Sequence, residues 1–197
     1  MWVHSSERLY IKGALVNLLQ AVNYILPYLG EAPVTSLDIR HPTVAMVLDN
    51  INTSRARLLA KGWWFNELNT TLFPSSEGDM PAPTAALAIY SDKNVEERDN
   101  RLYNIDEGSY LFTEPLKVKI IEDLLFEQLP TYAALCIQER AAIDTYVKDF
   151  GVEKVVEIMM EREKEALWAL EQENLRKRKY NSLKNGRAMR YVSALRS

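Results

Sequence analysis

The chain has 197 residues, of which 47% are hydrophobic, with only 7 Gly and 8 Pro and a formal net charge of −3. These values fit one soluble domain, or one domain with an extension, and argue against long disorder. The single cysteine, Cys136, excludes a disulfide framework within the chain, and no apolar run approaches the roughly 18–20 residues that span a bilayer.

The small net charge hides an asymmetry. Arg176, Lys177, Arg178, Lys179, Lys184, Arg187, Arg190 and Arg196 fall in a stretch without a single acid. Of the 24 basic residues these eight lie in the tail, so 16 remain against 27 acidic ones and the body carries −11. An acidic body with a basic tail suits head-to-tail contact or an acidic partner, while the plainer reading is a solvated tail.

Taken in order, the pattern predicts four helices around a central β region. Ser5-Ser6-Glu7 is a cap for a first helix whose apolar face runs from Leu9 to Leu26, with Pro27 and Gly30 ending it. His41-Pro42-Thr43 starts the second helix, which runs through Ala60 and stops at Gly62, a glycine after a basic residue. The aromatic run Trp63-Trp64-Phe65 then opens a strand reaching Phe73, and three consecutive rings cannot all face one core. Further β pieces are expected at 85–90, 101–104, 110–113 and 116–121, with 101–104 and 110–113 forming a hairpin about the acidic turn containing Gly108. Pro130 begins the third helix, which ends at Gly151, and the fourth runs from near Val152 beyond Leu175.

Four blocks in this order resemble the tail tubular protein A family of short-tailed bacteriophages. They are Ala21 to Val34, with its Gly-Glu-x-Pro-Val exit; Asn52 to Asn66, closing on Lys-Gly-Trp-x-Phe-Asn; Arg101-Leu102-Tyr103 with Gly108 to Phe112; and Leu129 to Gly151, followed by a Glu-rich helix. The resemblance implies a dodecameric adaptor ring between the portal and the tail nozzle formed by tail tubular protein B, around a channel for DNA read without sequence specificity. No cofactor and no metal are expected, and the chain is expected to be synthesised and assembled in the host bacterial cytoplasm and to reside in the virion tail. Met1 to Glu7 shows no basic start followed by a long apolar run, in keeping with that expectation.

The expected fold is therefore α+β: a four-helix bundle (1–62 and 122–182) with a small antiparallel sheet inserted between helices 2 and 3 (63–121), then a basic tail (183–197). Arg176, Lys177, Arg178, Lys179, Lys184, Arg187 and Arg190 are the candidate portal-docking residues. Trp63, Trp64, Tyr103 and Tyr110 are the candidates for nozzle or subunit contact, core or interface anchors being the commoner role for such rings than base stacking.

Two rival readings stand beside this one: a peptidoglycan-degrading tail protein, which the resemblance also implies, and a head-completion protein that binds the portal alone. Glycoside hydrolysis needs two carboxylates about 5–10 Å apart, one of them held protonated. Glu67, Glu77, Asp79, Glu96, Glu97 and Asp99 are the candidates, all in or beside turns where acids are usually solvated. His4 and His41 are the only histidines, and with one cysteine they lack the spacing of a zinc set; His41 before Pro42 reads as a turn residue and Cys136 as a buried small one.

Overall fold

A computed structural model describes residues 16–178 apart from Ile39. The expected cap at Ser5-Ser6-Glu7 lies outside them. Within them, helix α1 (Leu18–Ile25) has its own start signal, because the Asn17 side chain accepts from the Gln20 amide while the Gln20 side chain accepts from the Asn17 amide. A 3₁₀ turn (Leu26–Leu29) extends the helix through Pro27, and Gly30 ends it at φ +74°. The exit is held by Asn23, whose amide nitrogen donates to Val34 O at 2.9 Å and whose oxygen accepts from Val34 N at 2.8 Å. That pair of bonds gives the Gly-Glu-x-Pro-Val segment its fixed path.

Helix α2 (Pro42–Leu59) opens on Pro42, where a missing N–H is no loss, with His41 as the flanking residue. The aromatic segment that follows is a turn, which corrects the expected strand start. Asn66 N and Glu67 N both donate to Trp63 O at 3.1 Å, and strand β1 (Glu67–Leu72) begins only after it.

Strands β2 (Ala86–Ser91), β3 (Val95–Arg98), β4 (Arg101–Asn104) and β5 (Leu116–Glu122) complete an all-antiparallel set. One sheet has the order β1-β5-β2, with Glu67 opposite Ile121, Leu72 opposite Leu116 and Ile89 opposite Ile120. The second is the hairpin β3-β4. Of the hairpin expected between 101–104 and 110–113 only the turn is present: Asn104 N donates to Ser109 O at 2.8 Å and Ser109 N to Asn104 O at 3.2 Å, but no strand forms at 110–113. Asp99 and Asn100 take φ +52° and +58°, the left-handed pair a two-residue hairpin turn needs, so β4 pairs with β3. Leu111 instead bridges to Asp79, and Phe112 N donates to Gly78 O at 2.8 Å.

Helix α3 (Thr131–Phe150) follows Pro130 and closes at Gly151, and α4 (Lys154–Lys177) runs back along it. Helices α1, α2 and α4 each pack on α3. The architecture is mixed α+β. Ile25, Val47, Ile51, Leu59, Ile137, Met159 and Leu170 lie in a large helical core, whereas Met80, Leu102, Phe112, Leu116, Val118 and Ile120 form a separate core under the sheet. Cys136 is buried in the helical core, as expected, and burial pushes its thiol up to about 11, which keeps it protonated and unreactive.

Candidate docking site at the helix–sheet junction

The two cores meet at the segment from Lys61 to Glu67. Gly62 sits at φ +73°, and a Cβ there would lie 2.9 Å from both Glu67 Oε1 and Ile121 Cδ1, so the position demands glycine for its conformation and for its closeness to the sheet. Trp63 is 4% exposed, its indole nitrogen donating to Leu58 O at 2.7 Å. Asn66 is fully buried and is the hub. Its oxygen accepts from Trp63 N at 2.7 Å, and its nitrogen donates to Leu59 O and to Glu122 O, both at 3.0 Å. One side chain thus bonds the end of α2, the turn and the end of β5.

Charged groups fasten the same corner. Arg55, on α2, reaches Asp123 at 2.6 Å and Leu124 O just after β5. The last turn of α4 joins from the other side: Asn174 Oδ1 accepts from Trp64 N at 3.1 Å, and Arg178 donates to Glu67 Oε1 at 2.8 Å and to Gly62 O at 3.2 Å. Lys119 stands 3.4 Å from the same carboxylate. Burial alone would push the Glu67 carboxyl up, but Arg178 and Lys119 outweigh it and the group sits below its ordinary value. A carboxyl lowered in this way adds stability that is fully present above its unfolded value of about 4.3 and fades as pH falls through the lower folded value. Glu67→Gln is accordingly expected to lose about 1 kcal/mol at neutral pH, since Arg178 is partly solvated, and to converge with the parent in acid. Thermal melts from pH 7 down to pH 3 check both the size and the convergence.

With the junction described, two comparisons decide the family. The profile of the family described as Tail tubular protein matches residues 19–180. Tail tubular protein A of Klebsiella phage KP34 is 33% identical over 136 residues, covering 68% of this chain and 73% of the relative. The chain belongs to the tail tubular protein family. It is a bacteriophage protein, a structural component of the virion tail.

For a tail tubular protein the placement of the remaining candidates matters as much as the junction. Arg178 is part of the junction itself. Arg176 and Lys177 lie on the exposed face of α4 and pair loosely with Glu173 at 3.6 and 3.7 Å, while Lys179, Lys184, Arg187 and Arg190 lie outside the described residues. Trp63 is enclosed by the helical core, and Trp64 is partly buried with its ring edge-on to Phe65 at 4.8 Å. Tyr103 and Tyr110 come together across the turn closed by the Asn104–Ser109 bridge: their centroids are 4.9 Å apart, with Arg98 over one ring at 4.3 Å and Arg101 over the other at 4.6 Å. Such an alternation of guanidinium and phenol rings stiffens the outer edge of the β region.

Of the carboxylates weighed for hydrolysis, Glu67 is held ionised by two cations, the opposite of a proton donor. Glu96 is engaged by Arg98 at 2.8 Å, and Asp79 accepts from the Ser75 hydroxyl. What residue patterns missed includes apolar side chains left exposed in both parts of the structure. Phe73, 68% exposed, and Leu111, 58% exposed, flank the far end of the β region, while Ile158 and Trp168 stand out from α4 at 58% and 64%.

Proposed function

We propose that this chain is the head-to-tail adaptor, a dodecameric ring that joins the portal to the nozzle of tail tubular protein B and forms part of the DNA ejection channel. Family membership supports a tail structural role. The observation that favours an adaptor is that exposed apolar side chains stand both at the end of the sheet, at Phe73 and Leu111, and on the helical body, at Ile158 and Trp168 as well as Leu125 and Val152. A subunit that joins its neighbours in a ring and also meets a further assembly needs more than one adhesive face. In this reading the helical bundle (1–62 and 122–182) builds the ring. The β region (63–121), with its Tyr103–Tyr110 edge and the partly exposed Trp64, meets the nozzle or the next subunit.

The basic segment docks on the portal. Arg178 roots it on Glu67, so Arg176, Lys177, Lys179, Lys184, Arg187 and Arg190 supply the charge that reaches outward. Ordering this segment on assembly is offset by contacts made only there. DNA that must slide is not gripped, and the chain carries out no catalysis.

The deciding experiment is mass and shape of the purified chain, alone and with the portal of its phage, by light scattering and negative-stain imaging. A monomer that becomes a ring on the portal is the expected result, and a chain that stays monomeric beside the portal overturns the reading. A Lys184→Glu/Arg187→Glu/Arg190→Glu variant is expected to bind the portal at least about tenfold more weakly, because like-charge juxtaposition acts on association. Titration of the portal with labelled chain reads this out.

A further inference from the structure

The helical body carries a groove on one side of α4 and a ridge of opposite charge on another. The groove lies over α3, walled by α2 and α4. It consists of two adjoining hollows of about 370 and 190 Å³ that share Arg57 and Arg140. The larger is apolar, lined by Ile143, Val147, Val152, Val156 and Met160. The smaller is lined by Leu58, Cys136, Ile137 and Leu167, with Lys61 at its rim. Between them runs a polar bridge in which Asp144 takes Arg57 at 3.5 Å and Arg140 at 3.0 Å, and Glu163 takes Arg140 at 3.5 Å.

The groove is positive. Arg57, Lys61, Arg140 and Lys148 line it against only Asp144 and Glu163, and Lys61 makes no ion pair among the described residues. Ser54, at the Lys61 end, is 3% exposed, and its hydroxyl has no partner among the described residues.

The ridge is the outward stripe of α4. Glu157, Glu161 and Glu165 repeat at i,i+4, so they stack on one face. Lys164 answers Glu161 at 2.6 Å, which leaves Glu157 and Glu165 without an ion pair among the described residues. Ile158 and Trp168 rise beside them, both more than half exposed. At 100° per residue this stripe lies opposite the buried Met159 and Leu170, whereas Met160 and Leu167 turn toward the groove. Ridge and groove are therefore two different faces of one chain, the condition for a head-to-tail contact that closes into a ring.

We propose that the groove of each copy receives the α4 ridge of the next, with Trp168 and Ile158 as apolar anchors and Glu157, Glu161 and Glu165 facing Arg57 and Lys61. The assignment rests on the ring reading above and names the faces that make it. Trp is the side chain most often found to dominate such contacts, and opposite charge at the rim fixes the register.

The test is charge exchange. One variant carries Arg57→Glu/Lys61→Glu, the other Glu157→Lys/Glu161→Lys/Glu165→Lys, each checked for fold by circular dichroism. Ring formation on the portal is then scored by negative-stain imaging and mass. Each variant alone is expected to lose ring yield by about tenfold or more, because it places like charges across the contact. An equimolar mixture is expected to recover rings, since every neighbour pair then joins opposite charges. Trp168→Ala, a change at an exposed position, is expected to weaken assembly with the melting temperature unchanged, and it decides the matter should a charge variant fold poorly. Wild-type rings together with full assembly of each variant alone, or of Trp168→Ala, would overturn the face assignment and leave the ring intact. A mixture that does not recover, or that stops at dimers, overturns it equally. Absence of wild-type rings on the portal would instead defeat the adaptor reading itself.

Discussion

Replacing Asn66 by alanine is expected to lower the unfolding free energy by about 1–3 kcal/mol, the range for stranding a buried polar group. At this chain length that is a fall of roughly 2–12 °C in melting temperature. The side chain is completely buried and makes three bonds, and their loss is unequal. Leu59 O keeps a second donor in Gly62 N at 3.0 Å, whereas Trp63 N loses the acceptor it has in Asn66 Oδ1. Alanine leaves a small void that no backbone group can fill. The informative companion is Asn66→Asp. It keeps an acceptor for Trp63 N but sets a carboxylate against the carbonyls of Leu59 and Glu122, so its carboxyl is raised in the folded state. The penalty is then full above that raised value and absent below the unfolded one near pH ~3.9, so the Asp variant regains stability in acid while the Ala variant does not. Urea titrations at pH 7 and pH 4 separate the two. Equal losses at both pH values for Asn66→Asp would contradict the donor assignment.

Much of the helical part is legible from residues alone, because its boundaries are written in local chemistry. Gly30, Gly62, Pro130 and Gly151 each stand where the chain turns, and the turn at each is set by its own backbone. The strands are read less well for the same reason inverted. Arg101-Leu102-Tyr103-Asn104 alternates clearly, but its partner Val95-Glu96-Glu97-Arg98 is a charged run on an exposed edge and has no apolar face to announce it. The glycine at 108 looks like the better turn, yet Asp99-Asn100 is the one with the paired left-handed backbone. Placing β5 between β1 and β2 depends on pairings across the whole β region, which no local period records.

The junction was half visible. Its run Lys61 to Asn66 stands out by composition, but the meaning of each ring comes from partners far along the chain. Asn66 meets Glu122 across 56 positions, Trp64 meets Asn174 across 110, and Glu67 meets Arg178 across 111. A basic residue at the head of a positively charged tail reads naturally as a docking group. Arg178 also fastens the end of α4 to Glu67 and to Gly62 O, contacts that no local pattern announces. The end of α4 is tied through Arg178 to the turn that sets the sheet against the helices.

Trp63→Ala is expected to be the most damaging single aromatic substitution, at about 3–5 kcal/mol, because it empties a large buried volume that the surrounding helices cannot close. Trp63→Phe keeps most of that volume, and Leu58 O retains a donor in Lys61 N at 3.3 Å, so the loss should fall to about 1–2 kcal/mol. Trp64→Ala should also cost less than Trp63→Ala, since its ring is only partly buried and its backbone bond to Asn174 survives the change. Chemical denaturation of the three variants gives the order, and a Trp64 effect equal to that of Trp63 would contradict the burial described here. The order also determines which residue can report on assembly. A Trp63 variant that fails to join a ring fails first as a folded protein, so its defect carries no information about contact surfaces. Trp64 can be altered while the core persists, and a loss of nozzle or subunit binding in Trp64→Ala at unchanged secondary structure would mark that ring as part of an interface.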